Sequence, residues 1–192
     1  GRELARLGVR DIELLSLCGP GDVVFLDIET TGLMSTCPLF MIGMLCPEST
    51  HELRLVQAFA RDYDEEAAVL EEARARLAGA RAVVTYNGKS FDMPFISRRM
   101  AYYGRSEELE AMVVDLVWPA RRMWYDTLPN CRLATVQSIV LDCPREGDIP
   151  GRLIPEVYVE YVRTGDAGLV LPIIDHNELD LLAMAGLLPF LV

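Results

Sequence analysis

"VVFLDIETTGL", residues 23–33, runs four apolar residues straight into Asp27 and Glu29 and then into a Thr-Thr-Gly turn. The lead-in is apolar on both faces, the pattern of a strand inside a sheet rather than at its edge. Side chains alternate along a strand, so Asp27 and Glu29 project to one side. A buried sheet tolerates an acid only where something compensates its charge, and two acids together sharpen that demand. Two readings fit the spacing. Either the pair caps and solvates the following loop, or it holds a cation at the strand's carboxyl end, where open α/β sheets place their ligands.

Two further stretches carry candidate acids. In "TYNGKSFDMPFI" (85–96) a strand ends in an Asn87-Gly88 turn, and Asp92 falls where the next helix begins. A helix N-terminus favours an ionised carboxylate, and an Asp two residues ahead of Pro94 is equally a good N-cap. In "DHNELD" (175–180) His176 and Asp180 stand four apart, one turn along one helical face. That spacing suits a general base beside a metal-binding carboxylate, and it suits an exposed polar patch as well.

Composition bounds the class. With 192 residues, 51% of them hydrophobic, the chain can build one domain with a proper core. It shows no repeat or linker, so a single domain over 1–192 is expected. Residues 1–20 form its helical lead-in, broken at Gly19-Pro20-Gly21. No uninterrupted apolar run reaches membrane-spanning length, and the N-terminus lacks the basic head and apolar stretch of a secretory signal. Five scattered cysteines without C-x-x-C spacing read as reduced thiols, hence a cytoplasmic protein. A net charge of −11 opposes general attraction to nucleic acid. It leaves open an enzyme whose acid cluster is neutralised by metal ions. The positive charge is almost all Arg, with Lys89 the only Lys. Lys89 is a candidate phosphate contact or a solvated turn residue. Arg98-Arg99 and Arg121-Arg122 are candidates for a basic rim or for surface ion pairs.

The remaining pattern predicts two strands over 39–46 and 51–59, close enough for an antiparallel hairpin. A helix follows over 64–79, with Leu70, Ala73 and Leu77 on one face. Strands are expected over 81–88 and 111–117, with a helix between them over 91–104. Helical segments follow over 118–124, 132–141 and 154–165, and a last helix runs from Pro172 to 188. This is an α/β protein with a mixed sheet of five to six strands and helices packed on it.

In this order the motifs resemble the DEDD, or DnaQ-like, superfamily of 3′→5′ exonucleases on the ribonuclease H-like fold. "FLDIETTGL", "YNGKSFDMP" and "HNELD" match its three motifs. Within it the chain is similar to the bacterial ribonuclease H-like proteins of the YprB type. There "DLVWPARRMW", "DIPGRLIPEVYVEY" and the Asn after the motif-three His also have counterparts. The resemblance runs from about Asp22 to Leu188.

The resemblance implies a sheet whose first three strands are antiparallel and later ones parallel, with helices on both faces. It implies a metal-dependent 3′→5′ exonuclease acting on the 3′ end of single-stranded DNA or RNA with two divalent cations, Mg²⁺ or Mn²⁺. Asp27 would bridge the ions, Glu29 and Asp180 would complete one, Asp92 would serve the other, and His176 would be the base. Thr30, Thr31, Gly32 and Leu33 would touch the terminal nucleotide, with Asn87 and Phe91 beside the strand. YprB-type relatives can carry helical repeats after this domain, so the resemblance leaves open a C-terminal helical-repeat region of a longer protein as a partner. One departure stands out. The histidine-type family usually places His five positions before the last Asp, whereas here the separation is four, as in the tyrosine-type branch. The competing readings are a catalytically weak or inactive nucleic-acid-binding or scaffold module on the same fold, and a ribonuclease H-like endonuclease.

Overall fold

The computed structural model describes residues 12–49, 51–105 and 110–191. β1 (Val23–Thr30) is apolar on both faces because it is the middle strand of five. On one side it pairs antiparallel with β2 (Leu39–Pro47), which pairs antiparallel with β3 (Leu53–Phe59). On the other it pairs parallel with β4 (Ala82–Thr85), and β4 pairs parallel with β5 (Met112–Asp115). The order is β3-β2-β1-β4-β5, so the described residues supply five of the expected five to six strands. The burial follows the order: β2 is covered along nearly its whole length and the edge strand β3 is not.

The helices are α1 (Glu66–Leu77), α2 (Asp92–Tyr102), α3 (Val117–Trp124), α4 (Leu133–Val140), α5 (Ile154–Thr164) and α6 (Leu171–Leu191). The helix expected near the N-terminus falls largely outside the described residues, of which 12–15 are helical. In α1, Leu70, Ala73 and Leu77 are buried together, as their shared face predicts.

Alternation on β1 divides the core. Val24, Leu26 and Ile28 pack with Val69 and Leu70 of α1 and with Phe95 and Ile96 of α2. Phe25 points the other way, among Leu181, Met184 and Leu187 of α6. Asp27 and Glu29 continue the Phe25 row. The buried seam of α6 runs Ile173, Asn177, Leu181, Met184, Leu187, Leu191, steps of three and four residues that keep one helical face on the sheet. Asp27 pairs across the sheet with Gly43. A Cβ there would lie 1.8 Å from Asn177 Oδ1 and 2.8 Å from a Leu181 methyl, so only glycine lets α6 come this close.

A second clamp ties the helices to the sheet. Glu66, buried at the start of α1, accepts hydrogen bonds from the Leu39 amide (2.8 Å), Arg99 Nε (2.7 Å) and the Tyr103 hydroxyl (2.9 Å). Of the Arg98-Arg99 pair, Arg99 is therefore committed to the interior. Arg98 reaches Ser35 Oγ, 3.2 Å away, in the loop after β1.

Candidate active site

Asp27 and Glu29 stand at the carboxyl end of the central strand, where the apolar cover of α6 ends. Asp27 is held on one oxygen by Asn177, whose Nδ2 donates to Oδ2 at 2.8 Å. Asn177 is fully buried. Its Oδ1 accepts from Gln57 Nε2 at 3.2 Å, and Gln57 also donates to the Ile174 carbonyl at 2.9 Å. An amide relay from β3 through α6 thus fixes the first acid.

Asp92 is the first residue of α2 and is 6% exposed. It is not the N-cap, a position taken by Phe91, whose ring packs 5.6 Å from that of Phe95. Asn87 carries the left-handed turn before it, with φ of 67°. Gly88 is needed for space: a Cβ there would come within 2.8 Å of both Asp92 Oδ2 and Thr85 Oγ1. Asp115, at the end of β5, organises this turn by accepting the amides of Asn87 (2.6 Å), Lys89 (3.1 Å) and Val117 (3.1 Å). His176 and Asp180 lie one turn apart on α6, with Nε2 and Oδ2 separated by 3.7 Å.

The acids act on one another. Burial lifts the carboxyl of Asp27 well above the usual range, and Asp180, Glu29 and Asp92 lift it further, against the Asn177 hydrogen bond. Burial, then Asp180, Asp92 and Asp148, do the same to Glu29. Burial pushes Asp92 up to about 7, with Asp115 and Asp180 adding to the rise and the backbone amides of Asp92 and Ile28 opposing it. Strands and helices far apart in sequence therefore converge on one hollow whose carboxylates resist ionising together.

Such a hollow calls for positive charge, and hard oxygen donors suit Mg²⁺ or Mn²⁺. Among the described residues no three His, Cys, Asp or Glu side chains close around one ion as they stand. Part of the positive charge comes instead from Arg145, whose Nη2 pairs with Asp180 Oδ1. Its Nη1 lies 3.2 Å from Asp148 Oδ2 and its Nε donates to Gln137 Oε1 at 2.7 Å. Asp148 in turn receives His176 Nδ1 at 2.7 Å on its other oxygen. No local spacing links Arg145, Gln137 and Asp148 to His176, so none was a candidate site residue, although Asp148 opens the "DIPGRLIPEVYVEY" stretch shared with the family. Arg145 and Asp148 both lie in the loop "DCPREGDIPG" (142–151) between two helices.

The loop after β1 uses its polar groups internally. Thr30 Oγ1 donates to the Gly32 carbonyl (2.8 Å) and Thr31 Oγ1 to the Pro38 carbonyl (3.1 Å). Gly32 packs against Cys37, with room for no Cβ. Leu33 is 86% exposed, an apolar side chain with no packing role. Near the turn at 87–89, Arg121 lies over the Trp118 ring at 5.1 Å.

Together, the strand order and this acid-lined hollow define an α/β protein of the ribonuclease H-like class. A sequence model of the RNase_H superfamily matches residues 24–192, and the chain belongs to that superfamily. It is 29% identical over 183 residues to the uncharacterized protein YprB of Bacillus subtilis (strain 168), an alignment covering 86% of this chain. The chain spans 41% of that relative's length. The fold is similar to part of a family B DNA polymerase from the hyperthermophilic archaeon Pyrobaculum calidifontis. The TM-score is 0.66 at 18% identity, over 88% of this chain and 24% of the polymerase. Among the described residues no helix is long and apolar enough to cross a membrane.

Proposed function

We propose that the protein is a metal-dependent nuclease that removes nucleotides from the 3′ end of single-stranded DNA or RNA. The observation that carries this reading is the gathering of Asp27, Glu29 and Asp92 around Asp180: burial raises each of the three carboxyls, and Asp180 raises each of them further. A merely solvated loop cap would not gather four acids from β1, α2 and α6. Superfamily membership and the polymerase-like fold support the same reading.

Asp27, Glu29 and Asp180 would hold one divalent cation, and Asp27 with Asp92 a second. When bound, the ions supply Lewis-acid stabilisation at phosphorus and a water acidic enough to attack it. The chain's own residues do the rest. His176 Nε2, on the Asp180 side of the ring, accepts the water's proton. Asn177 keeps Asp27 from rotating out of the hollow. Leu33 presents an apolar surface to the terminal base, and the 30–32 backbone, held by its own threonines, meets the sugar. Asn87, Lys89 and Phe91 line the path of the strand. A helical-repeat region in a longer, cytoplasmic protein is part of the same proposal.

The test is degradation of end-labelled single-stranded DNA and RNA with Mn²⁺. The wild type should shorten its substrate from the 3′ end, and Asp27→Ala should leave it intact. Equal activity in both would sink the proposal, and cleavage of circular or 3′-blocked substrates would make the enzyme an endonuclease.

A further inference from the structure

We propose that Asp148 is the positioning residue for His176, with Arg145 holding Asp148 in place, an inference that rests on the reading of His176 as the base. The carboxylate lies 2.7 Å from Nδ1, close enough to take that nitrogen's proton in a charge-assisted hydrogen bond. With Nδ1 protonated, a neutral imidazole keeps its lone pair on Nε2. Nε2 is the atom that faces Asp180 Oδ2 at 3.7 Å. A proton on Nε2 instead would leave the ring no way to accept one from water on that side.

The loop is built to deliver this carboxylate. Gly147, immediately before Asp148, has φ of 72°, a left-handed conformation open to glycine at little cost. Ile149, immediately after, packs against the larger apolar cluster. Asp148 is thereby anchored on its Ile149 side. Its second oxygen meets Arg145 Nη1 at 3.2 Å, and the same guanidinium reaches Asp180 and Gln137. The side chains of Arg145, Asp148, His176 and Asp180 are 6%, 14%, 14% and 18% exposed. That gradation runs from a buried anchor outward to the hollow, so a planar fork with three fixed partners sets the geometry of both acids flanking the ring. Gly151 completes the arrangement. Its Cα borders the ring: a Cβ there would lie in ordinary contact with Nε2 at 3.6 Å.

The chain has two histidines, and His51 lies exposed between β2 and β3. A His51→Gln background therefore makes the ring nitrogens of His176 the only ones in a long-range ¹⁵N–¹H spectrum. In the metal-free protein at alkaline pH we expect the Nδ1–H tautomer. Asp148→Asn can donate its amide to Nδ1 and should move the proton to Nε2. The same change should lower kcat by about 100-fold, within the span of a lost general base, while leaving KM and calorimetric Mn²⁺ affinity at wild-type values. Asp148→Glu, which keeps a carboxylate, should retain the Nδ1–H tautomer and restore part of the rate. It serves as the test if Asp148→Asn does not fold. An Nε2–H tautomer in the wild type, an unchanged tautomer in Asp148→Asn, its loss in Asp148→Glu, or a fall in Mn²⁺ affinity in Asp148→Asn would each overturn the proposal. Failure of the base reading looks different: His176→Gln would keep full activity while the wild-type tautomer remained Nδ1–H.

Discussion

Asp27 is lifted by burial and by three other carboxylates and relieved by one amide. Asp27→Asn removes a charge and keeps an oxygen for Asn177. At pH 8 without divalent ions we expect its melting temperature to rise by roughly 2–4 °C, equivalent to about 1 kcal/mol in a chain of this size. We expect hydrolysis to be lost in the same variant. Calorimetry showing a lower melting temperature would mean that the charge is already balanced. Gly43→Ala should do the reverse, because a methyl 1.8 Å from Asn177 Oδ1 forces α6 off the sheet. The expected cost is about 1–3 kcal/mol in urea unfolding. The acids themselves were legible in the sequence, since Asp27 and Glu29 are related by strand alternation and His176 and Asp180 by one helical turn. The place of Asp148 was not: it opens a stretch shared with the family, but its contact with His176 spans 28 residues, and no periodicity carries information that far.

β1 and α2 meet where each delivers its acid, and the meeting imposes a pH dependence. Asp92 has a folded value of about 7 against 3.8 for the free side chain. Between those values the unfolded chain gives up a proton that the folded chain keeps. The stability this acid allows is therefore intact below 3.8 and lost as pH rises through 7. Asp27 and Glu29 act in the same direction. We expect the stability difference between Asp92→Asn and the wild type, without divalent ions, to grow from pH 4 to pH 8. A flat difference would contradict this. Elsewhere, Arg99→Ala strands Glu66 at the junction of β2, α1 and α2 and should cost about 3–5 kcal/mol, measured by urea unfolding. Strands and helices were readable because their apolar periods differ. The left-handed Asn87 was signalled by its Asn-Gly turn, whereas the register shift in the β1–β2 pairing between Glu29 and Thr30 left no trace in the pattern, because it is imposed by pairing.

The whole molecule carries a net charge of −11, which repels a polyanion everywhere except where cations gather. Fluorescence anisotropy of a labelled single strand should show no binding without divalent ions and clear binding with Ca²⁺. Tight binding in EDTA would show that a basic surface does the work instead. The residues alone indicated an antiparallel hairpin and a strand-helix-strand unit, and the resemblance to a family implied antiparallel first strands and parallel later ones, while the order β3-β2-β1-β4-β5 came only with the structure. Pairing order is set by which faces bury together, as when α6 covers Phe25 and leaves Asp27 at its rim. The account depends most on that rim holding cations. Calorimetric titration of the metal-free protein with Mn²⁺ tests it most directly. We predict two binding events in the wild type and their loss in Asp27→Asn, while the variant remains folded. Absence of Mn²⁺ binding in the wild type, or equal binding in both proteins, would contradict it.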